Sequence, residues 1–285
     1  MKIAFLGSND SWYLRDLQRA AMGDFELTPL PFSELATSSD GTVYSNGQAL
    51  TDFDAVLVRT MPPGSLEQVV FRMDALHKLE RLGQLVVNSA KSLEYAIDKF
   101  VTTDLLQQAG LAVPRTIVVQ SVDQAIEAFR ALGNDVVLKP IFGSEGRGIA
   151  RLQDENVALR AFKLLTQAGA VLYLQEFIEH EGYDVRVFLC GDNILSMRRH
   201  NALDWRTNVS RGASAEPFAA SDEQIQMARI AATALQVSLA GVDLLPAKNG
   251  ITYAIEVNGV PGWRALQRAT GVDVSRIVLE FLGKL

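Results

Sequence analysis

The chain has 285 residues, of which 48% are hydrophobic and 21% are charged, and this composition excludes a globally disordered protein. Lys and Arg total 27 against 33 for Asp and Glu, so the formal net charge of −6 argues against a general nucleic-acid-binding surface. A single cysteine, Cys190, excludes an intrachain disulfide and a cysteine-rich metal site. Because the chain has neither an apolar run of about 18 residues nor a signal peptide, we expect a cytoplasmic protein that spans no membrane.

Residues 1–95 are predicted to form an α/β domain of the doubly wound type. Short apolar runs at Ile3–Leu6 and Ala55–Val58 alternate with segments that have the apolar spacing of helices. A small hairpin is expected over residues 41–50. Arg59 stands at the carboxyl end of the second run, where parallel sheets place their ligand-binding residues. No G-x-G-x-x-G motif follows the first run, which argues against a nicotinamide-binding site.

Residues 96–285 are predicted to form an α+β domain with two lobes, at about 96–175 and 176–285. Helices are expected over Phe100–Gln108 and from Ser121 onward. Beyond them, five apolar runs follow one another without long helices between them, a pattern that favours antiparallel pairing. These predicted strands are 171–177, 184–190, 194–200, 242–247 and 251–257.

A glycine-rich segment directly follows a predicted strand that ends at Lys139. Gly143, Gly146 and Gly148 lie within ten residues of this lysine. Glycines allow backbone N–H groups to turn toward a polyanion, and a lysine supplies a point charge for a phosphate. The spacing differs from the Walker pattern, and a solvent-exposed glycine turn remains the alternative. The segment is therefore a candidate phosphate-binding loop.

A predicted hairpin near the C-terminus brings two carboxylates together. If Asn249-Gly250 is a two-residue turn, Lys248 pairs with Ile251 and Asp243 lies directly opposite Glu256. Like charges in this position repel, so a cation is expected between them. Asn258 lies on the same strand face as Glu256, and the three side chains form an oxygen-only set suited to Mg²⁺. A slipped hairpin with both acids in solvent remains the alternative.

Two further strands carry polar residues at unusual positions. Gln175 and Glu176 interrupt the apolar run 171–177, which is typical of a ligand-contacting linker or of an edge strand. Asp184, Arg186 and Phe188 alternate on one face of the next strand. Arg186 is the first of five arginines that end at Arg211, and in an acidic protein this concentration indicates an anionic ligand, with a solvated strand face as the alternative.

Taken together, these motifs resemble the ATP-grasp superfamily and, within it, the RimK-like α-L-glutamate ligases, in the branch that includes tetrahydromethanopterin:glutamate ligases. The resemblance covers about Val56 to Gly283, and the first strand–helix unit fits a pre-ATP-grasp domain. The landmarks are Asn88-Ser89, Asp98-Lys99, Leu138-Lys139-Pro140, the glycine segment, Gln175-Glu176-Phe177, Asp184-Val185-Arg186, residues 208–212, Gly241-Val242-Asp243 and Glu256-Val257-Asn258. The fold it implies is a pre-ATP-grasp α/β domain followed by an ATP-grasp domain of two lobes.

The resemblance also implies a role for each matching position. Lys99 and Lys139 would bind the phosphates of ATP, and a loop would close over them. Its residues would be Gly143, Ser144, Gly146, Arg147 and Gly148. Adenine would lie against Glu176 and the adjoining backbone of Gln175, Phe177 and Ile178, and Asp184 would reach the ribose. Two Mg²⁺ ions, replaceable by Mn²⁺, would be held by Asp243, Glu256 and Asn258. The phosphoryl group and the acceptor carboxylate would be stabilised by Arg199, Asn208 and Arg211.

The reaction that the resemblance implies joins a carboxylate to an amine. The carboxylate would attack the γ-phosphorus of ATP, and the amine, that of L-glutamate, would then attack the acyl phosphate. The partners would be ATP, the amino acid, a carboxylate acceptor and a further copy of the chain in a homo-oligomer, with no nucleic acid or membrane. Two alternatives stay open: a dipeptide ligase resembling glutathione or D-alanine ligases, and a nucleotide-binding regulatory protein without turnover.

Overall fold

The computed structural model describes residues 1–143, 146–209 and 212–285. Two of the predicted site residues, Ser144 and Arg211, lie outside the described residues. The strands are β1 (Lys2–Leu6), β2 (Glu26–Leu30), β3 (Leu35–Thr37), β4 (Val43–Ser45), β5 (Gln48–Ala49), β6 (Ala55–Val58), β7 (Val86–Val87), β8 (Thr116–Val119), β9 (Val136–Lys139), β10 (Ala150–Leu152), β11 (Leu172–Glu176), β12 (Tyr183–Cys190), β13 (Asn193–His200), β14 (Ser214–Pro217), β15 (Leu239–Pro246) and β16 (Thr252–Asn258). The α-helices are α1 (Trp12–Ala20), α2 (Leu66–Arg81), α3 (Ala90–Ile97), α4 (Lys99–Gln108), α5 (Val122–Ala131), α6 (Glu155–Gln167), α7 (Asp222–Ala234), α8 (Arg264–Thr270) and α9 (Val274–Leu282). None of these helices has both the length and the apolar character needed to cross a membrane.

The N-terminal part is built on a parallel sheet, as predicted. Its strand order is β2-β1-β6-β7, and every recorded pairing in it is parallel. Residues Ile3 and Phe5 of β1 pack in one apolar cluster, whereas Ala4 and Leu6 pack in another on the opposite face. Both faces are covered because alternating side chains of a strand point to opposite sides of the sheet. The hairpin expected over residues 41–50 is present as β4 and β5, joined to β3.

The C-terminal part contains two antiparallel sheets that face the site. The first has the order β10-β9-β11-β8, and α5 and α6 pack on it around Phe129 and Phe162. The second has the order β14-β13-β12-β15-β16. One face of this second sheet packs on α7 through Val185, Val187 and Ala231, which leaves the opposite face for charged residues of β12 and β15. The predicted α+β character is confirmed.

Five helices were absent from the sequence prediction, namely α3, α6, α7, α8 and α9. Helix α7 lies between the third and the fourth of the five strands that were expected to follow one another without long helices. Helix α6 precedes the first of these strands. The buried face of α7 consists of Met227 and the small residues Ala228, Ala231 and Ala232. A face of alanines gives a weak apolar contrast, so its periodicity is hard to recognise. Helix α3 is only eight residues long.

In the hairpin of β15 and β16, Asp243 pairs with Glu256 as predicted, but the turn and the strand β16 differ from the prediction. Ala247 N donates to Ile251 O, so the loop has three residues, Lys248 to Gly250, and the predicted Lys248–Ile251 pair is wrong. A β-bulge then places one extra residue, Ile255, in β16 between the pairs Leu244–Ala254 and Asp243–Glu256. The extra loop residue and the extra bulge residue offset each other. Asp243 therefore lies opposite Glu256 as predicted, and the slipped alternative is wrong.

The N-terminal sheet and the five-stranded sheet share one apolar cluster. Phe5 of β1, Leu17 of α1, Phe188 of β12 and Trp263 all belong to it, together with the inner face of α9. Trp263 is fully buried, and its indole Nε1 donates to Ser275 Oγ at 3.0 Å. This residue is therefore part of the packing between the two sheets. The boundaries proposed for the domain and its lobes, at residues 95 and 175, stay a prediction.

Candidate active site

A cavity lies between the antiparallel four-stranded sheet β10-β9-β11-β8 and the five-stranded sheet. Most of the predicted site residues line it. From the four-stranded side and its loops come Lys99, Pro114, Val137, Lys139, Gly143, Gly146, Arg147, Ile149, Tyr173, Gln175, Glu176, Phe177, Ile178 and His180. From the five-stranded side come Asp184, Arg199, Trp205, Arg206, Thr207, Asn208, Asp243, Leu245, Ile255 and Glu256. Gly148 and Asn258 are the two described positions of the predicted set that do not line it.

Lys139 ends β9 and is partly buried in the wall of the cavity. Its Nζ donates to Gln175 Oε1 at 2.5 Å, and the amide of Gln175 in turn donates to the hydroxyls of Thr116 and Tyr173. Burial lowers the pKa of Lys139 from 10.5 to about 8, although the charge of Glu256 favours the protonated form. A partly buried ammonium with a neutral hydrogen-bond partner is prepared for an anionic ligand.

Lys99 contacts the glycine segment, although the sequence pointed to Lys139 for this contact. Lys99 Nζ donates to Gly143 O at 2.6 Å and lies 4.0 Å from Glu256 Oε1. Gly143 and Gly148 both have positive φ angles, and a Cβ at either position would meet the ring of Pro140. Larger residues would be strained in this backbone conformation. The glycine segment is therefore contacted by Lys99, whereas Lys139 donates to Gln175.

The apolar end of the cavity lies beside Glu176. Its Oε1 accepts from the backbone N–H of Arg115 at 2.7 Å, which holds the carboxylate at the end of β11. The ring of Phe177 is stacked by Arg151 at 3.4 Å from the ring centroid and meets Trp205 edge-on at 5.7 Å. With Ile178 also among the lining residues, this end offers the flat apolar surface that a purine ring requires.

Four charged side chains form a closed network on the opposite wall. Arg186 donates from Nε and Nη2 to the two carboxylate oxygens of Asp243, each at 2.7 Å. Arg199 bridges Asp184 and Asp243, with Nε 2.7 Å from Asp184 Oδ1 and Nη2 2.9 Å from Asp243 Oδ2. Thr207 Oγ1 donates to Asp184 Oδ2 at 2.5 Å. The solvated strand face considered for this segment is wrong for Arg199, which is buried and paired, whereas the side chain of Arg198 is 38% exposed.

The pKa values of the two carboxyls in this network move in opposite directions. Burial opposes the ionisation of Asp243, but Arg186 and Arg199 together hold its pKa below the ordinary value. Burial also raises the pKa of Asp184, and here the charge of Arg199 alone does not compensate for it. For Arg199, burial is outweighed by the charges of Asp243 and Asp184, so that its pKa is raised. Asp243 is thus the more firmly ionised carboxyl of the two.

The predicted metal-binding residues are oxygen donors of the kind that Mg²⁺ takes, although Asn258 does not line the cavity and both carboxylate oxygens of Asp243 already accept from arginines. Asp243 and Glu256 face each other across the hairpin, and both line the cavity. Asn258 Nδ2 donates to Gly241 O at 3.2 Å, which directs the amide along the same hairpin. No group of three or more His, Cys, Asp or Glu side chains suited to a metal occurs in the described part of the chain. Two carboxylates and an amide leave coordination positions for phosphate oxygens and water, as Mg²⁺ requires.

The cations expected near these carboxylates are present as side chains. Arg186 and Arg199 bind Asp243, and Lys99 approaches Glu256. Arg186 was not among the predicted site residues, although it alternates with Asp184 on β12. The aromatic side chain of Trp205 and the ring of His180 also line the cavity without a sequence signal, because both belong to polar segments. Burial lowers the pKa of His180.

The comparison with known sequences identifies a family. A model of the RimK-like ATP-grasp domain matches residues 96–282. A tetrahydromethanopterin:α-L-glutamate ligase of Methanosarcina acetivorans is 35% identical over 277 residues, which cover 86% of this chain and 85% of the relative. A protein of Shewanella loihica named "probable alpha-L-glutamate ligase" is 29% identical over 294 residues, which cover 100% of this chain and 96% of the relative.

The comparison with solved structures agrees on the fold. The ATP-grasp ligase PsnB, complexed with a minimal precursor, superposes with a TM-score of 0.78 at 21% identity and covers 99% of this chain and 98% of its own. A RimK domain ATP-grasp protein of Sphaerobacter thermophilus gives a TM-score of 0.76 at 21% identity, with 99% of both chains covered. These likenesses confirm the predicted fold class, and the sequence relatives confirm an enzyme that forms carbon–nitrogen bonds. The chain belongs to the RimK-like ATP-grasp family of carboxylate–amine ligases.

Proposed function

We propose that this protein uses ATP to add L-glutamate to a carboxylate acceptor, which is a small molecule, a cofactor such as a pterin or a protein C-terminus. The observation that carries the proposal is a cavity lined by two partly buried lysines and by a facing pair of carboxylates. The sequence relatives named glutamate ligases support the choice of amino acid. Phe177, Ile178 and Ile255 provide the surface for adenine.

The triphosphate is proposed to extend from this apolar end toward the hairpin. Lys139 would bind one phosphate in exchange for its bond to Gln175, and Lys99 would bind another. The glycine segment, which Lys99 already contacts through Gly143, would cover the phosphates and exclude water. Exclusion of water matters because the acyl phosphate intermediate is hydrolysed by it. The ribose role assigned to Asp184 stays a prediction, since its carboxylate accepts from Arg199 and Thr207.

The acceptor carboxylate is proposed to lie beside Arg199 and Asn208, next to the γ-phosphate. Its oxygen attacks the γ-phosphorus, and the bond to the β-phosphate oxygen breaks with release of ADP. The amine of glutamate then attacks the acyl carbon, loses a proton and expels phosphate. Mg²⁺ held by Asp243, Glu256 and Asn258 would neutralise charge on the phosphoryl oxygens. We propose two such ions, with Mn²⁺ as a substitute, and a homo-oligomeric, cytoplasmic enzyme.

The experiment that tests this function follows ADP release. Purified protein is incubated with ATP, Mg²⁺, isotope-labelled L-glutamate and a cell extract, and products are examined by mass spectrometry. We expect ADP release that requires both glutamate and the extract, and a product that carries the label in an amide. ADP release with another amino acid, without incorporation of labelled glutamate, would instead identify a dipeptide ligase. Absence of ADP release with every acid and amine would overturn the enzyme assignment.

A further inference from the structure

Two buried polar residues of the N-terminal sheet bind the segment that directly follows the metal-binding hairpin. Arg59 is the first residue after β6, and Asn88 is the first residue after β7. Both stand at the carboxyl edge of the parallel sheet, and their exposed fractions are 2% and 1%. Neither belongs to the cavity, yet both reach the chain just beyond Asn258.

Both the nitrogen and the oxygen of the Asn88 side-chain amide form hydrogen bonds with backbone groups at the two strands of the hairpin. Its Nδ2 donates to Leu239 O at 2.7 Å and to Gly259 O at 2.6 Å. Its Oδ1 accepts from the backbone N–H groups of Ser238 at 3.1 Å and Leu239 at 3.0 Å. Leu239 begins β15, which carries Asp243, and Gly259 follows β16. One side chain therefore joins the start of one strand to the end of the other.

Arg59 binds the same segment two residues further along. Its Nη2 donates to Pro261 O at 2.8 Å. The guanidinium lies between two rings, 4.7 Å from the centroid of Tyr13 and 4.2 Å from that of Trp263. Such stacking holds the planar group in one orientation. Pro261 in turn packs so closely on Gly241 that a Cβ there would lie 3.1 Å from the ring.

These contacts lead directly to the predicted metal ligands. Gly241 pairs with Asn258 in the hairpin register and accepts a bond from its Nδ2. Asp243 lies two residues along β15 from Gly241, which is about 6.6 Å in an extended strand. Metal ligands require a fixed spacing, and the groups that hold them in place influence metal affinity strongly.

We propose that Asn88 and Arg59 are positioning residues through which the N-terminal sheet fixes the spacing of the metal-binding hairpin. The proposal rests on the proposed function, because it takes Asp243, Glu256 and Asn258 as the Mg²⁺ ligands. Asn88 sets the separation of the two strands, and Arg59 holds the segment that follows them against the parallel sheet. The N-terminal sheet therefore contributes to metal binding without supplying a ligand.

The test measures metal affinity separately from turnover. Binding of Mn²⁺ to the full-length protein with a non-hydrolysable ATP analogue is followed by electron paramagnetic resonance. We expect Asn88→Ala to raise the Mn²⁺ dissociation constant about 10- to 100-fold, as other outer-shell changes do, and Arg59→Gln to raise it about tenfold. The affinity for the ATP analogue in chelator should stay within about twofold, since the adenine end of the cavity is untouched.

Arg72 provides a matched control. It is also a buried arginine of the N-terminal part, 6% exposed, and its Nη1 donates to a proline carbonyl, that of Pro62, at 2.7 Å. Arg72→Gln, like Arg59→Gln, removes a hydrogen bond from a buried arginine to a proline carbonyl, and it should leave Mn²⁺ affinity unchanged. Should Asn88→Ala fail to fold, Asn88→Asp replaces it, because the carboxylate keeps the acceptor and removes both donors.

Two results would overturn the proposal. A folded Asn88 variant with wild-type Mn²⁺ affinity would show that the hairpin keeps its spacing unaided, and an equal loss in Arg72→Gln would show a general effect of instability. A different result would contradict the proposed function. If Glu256→Gln binds Mn²⁺ as tightly as the wild type, the ligand assignment itself is wrong.

Discussion

The two walls of the cavity differ in how their cationic side chains are paired. On the five-stranded wall, Arg186 and Arg199 are neutralised by Asp184 and Asp243 within the chain. On the wall formed by the sheet β10-β9-β11-β8, Lys139 is partly buried and donates to the neutral amide of Gln175. A buried ion pair holds geometry, whereas a partly buried cation without a counter-charge is costly until an anion arrives. The contrast indicates which wall is rigid and which one is completed by the nucleotide.

Removal of a charge should therefore have opposite effects on the two walls. Asp243→Asn leaves Arg186 and Arg199 buried with reduced compensation, and we expect the free energy of unfolding to fall by about 3–5 kcal/mol. Lys139→Met, which removes a partly buried charge without a hydrogen-bonded counter-charge, should leave the stability of the nucleotide-free protein equal or higher. Urea unfolding at pH 7 in chelator measures both. A Lys139→Met protein that loses as much stability as Asp243→Asn would remove the distinction between the walls.

The hairpin carboxylate that faces the cavity should matter for catalysis more than for stability. Glu256→Gln removes a metal ligand, and we expect kcat to fall by about 10²- to 10³-fold, the range known for the loss of one group that stabilises charge in the transition state. Its melting temperature in chelator should stay close to that of the wild type, because the relief of repulsion from Asp243 is offset by the lost attraction of Glu256 to Lys99 and Lys139. Glu179→Gln, outside the cavity lining, serves as the control. A variant that melts lower but keeps the full stabilisation by ATP and Mg²⁺ would show a structural carboxylate.

The low pKa of Lys139 predicts a pH dependence of nucleotide binding. Phosphate binds the protonated lysine, so the affinity for ATP in chelator should be constant below pH 8 and fall above it, up to about tenfold per pH unit. Lys139→Arg keeps its charge throughout this range and should give a flat profile. Isothermal titration calorimetry between pH 7 and pH 9.5 measures both. A wild-type profile as flat as that of Lys139→Arg would place the phosphate elsewhere.

The smallest effect is expected at the hairpin loop. Gly250 has a φ of +83°, and Gly250→Ala should lower the free energy of unfolding by about 1 kcal/mol. Mg²⁺-dependent activity should be unchanged, because the bulge at Ile255 and the contacts of Asn88 fix the register near Glu256. Thermal unfolding and an Mg²⁺ titration of activity check this. A shift in the Mg²⁺ requirement would show that the turn, not the bulge, sets the spacing.

The sequence allowed prediction of features that depend on neighbouring residues. The strand that ends at Lys139, the turn glycines and the alternation on β12 follow from short-range rules, and the structure confirms their placement. The facing of Asp243 and Glu256 was also predicted, but from a turn that is one residue too short and a strand drawn without its bulge. The agreement in this case is a cancellation of two errors.

Other features depend on partners that sequence spacing cannot identify. Arg186 and Asp243 are 57 positions apart, and Asn88 is 171 positions from Gly259. No periodicity connects such residues, because the pairing is set by the order of strands in a sheet and by the packing of one sheet on another. For the same reason, the five arginines were read as a group that faces an anionic ligand. Arg198 pairs with Glu216 and does not line the cavity, whereas Arg206 lines it and pairs with Asp204.

The bulge in β16 has a consequence for how this site tolerates insertions and deletions. An added residue in a strand normally reverses the facing of every residue beyond it, but a bulge confines the change to one position. Ile255 and Glu256, although adjacent, both line the cavity. Deletion of Ile255 would restore a regular ladder, remove an apolar side chain from the cavity lining and leave Glu256 opposite Asp243. The apolar floor and the acidic pair can therefore be altered independently by protein engineering, within a single strand.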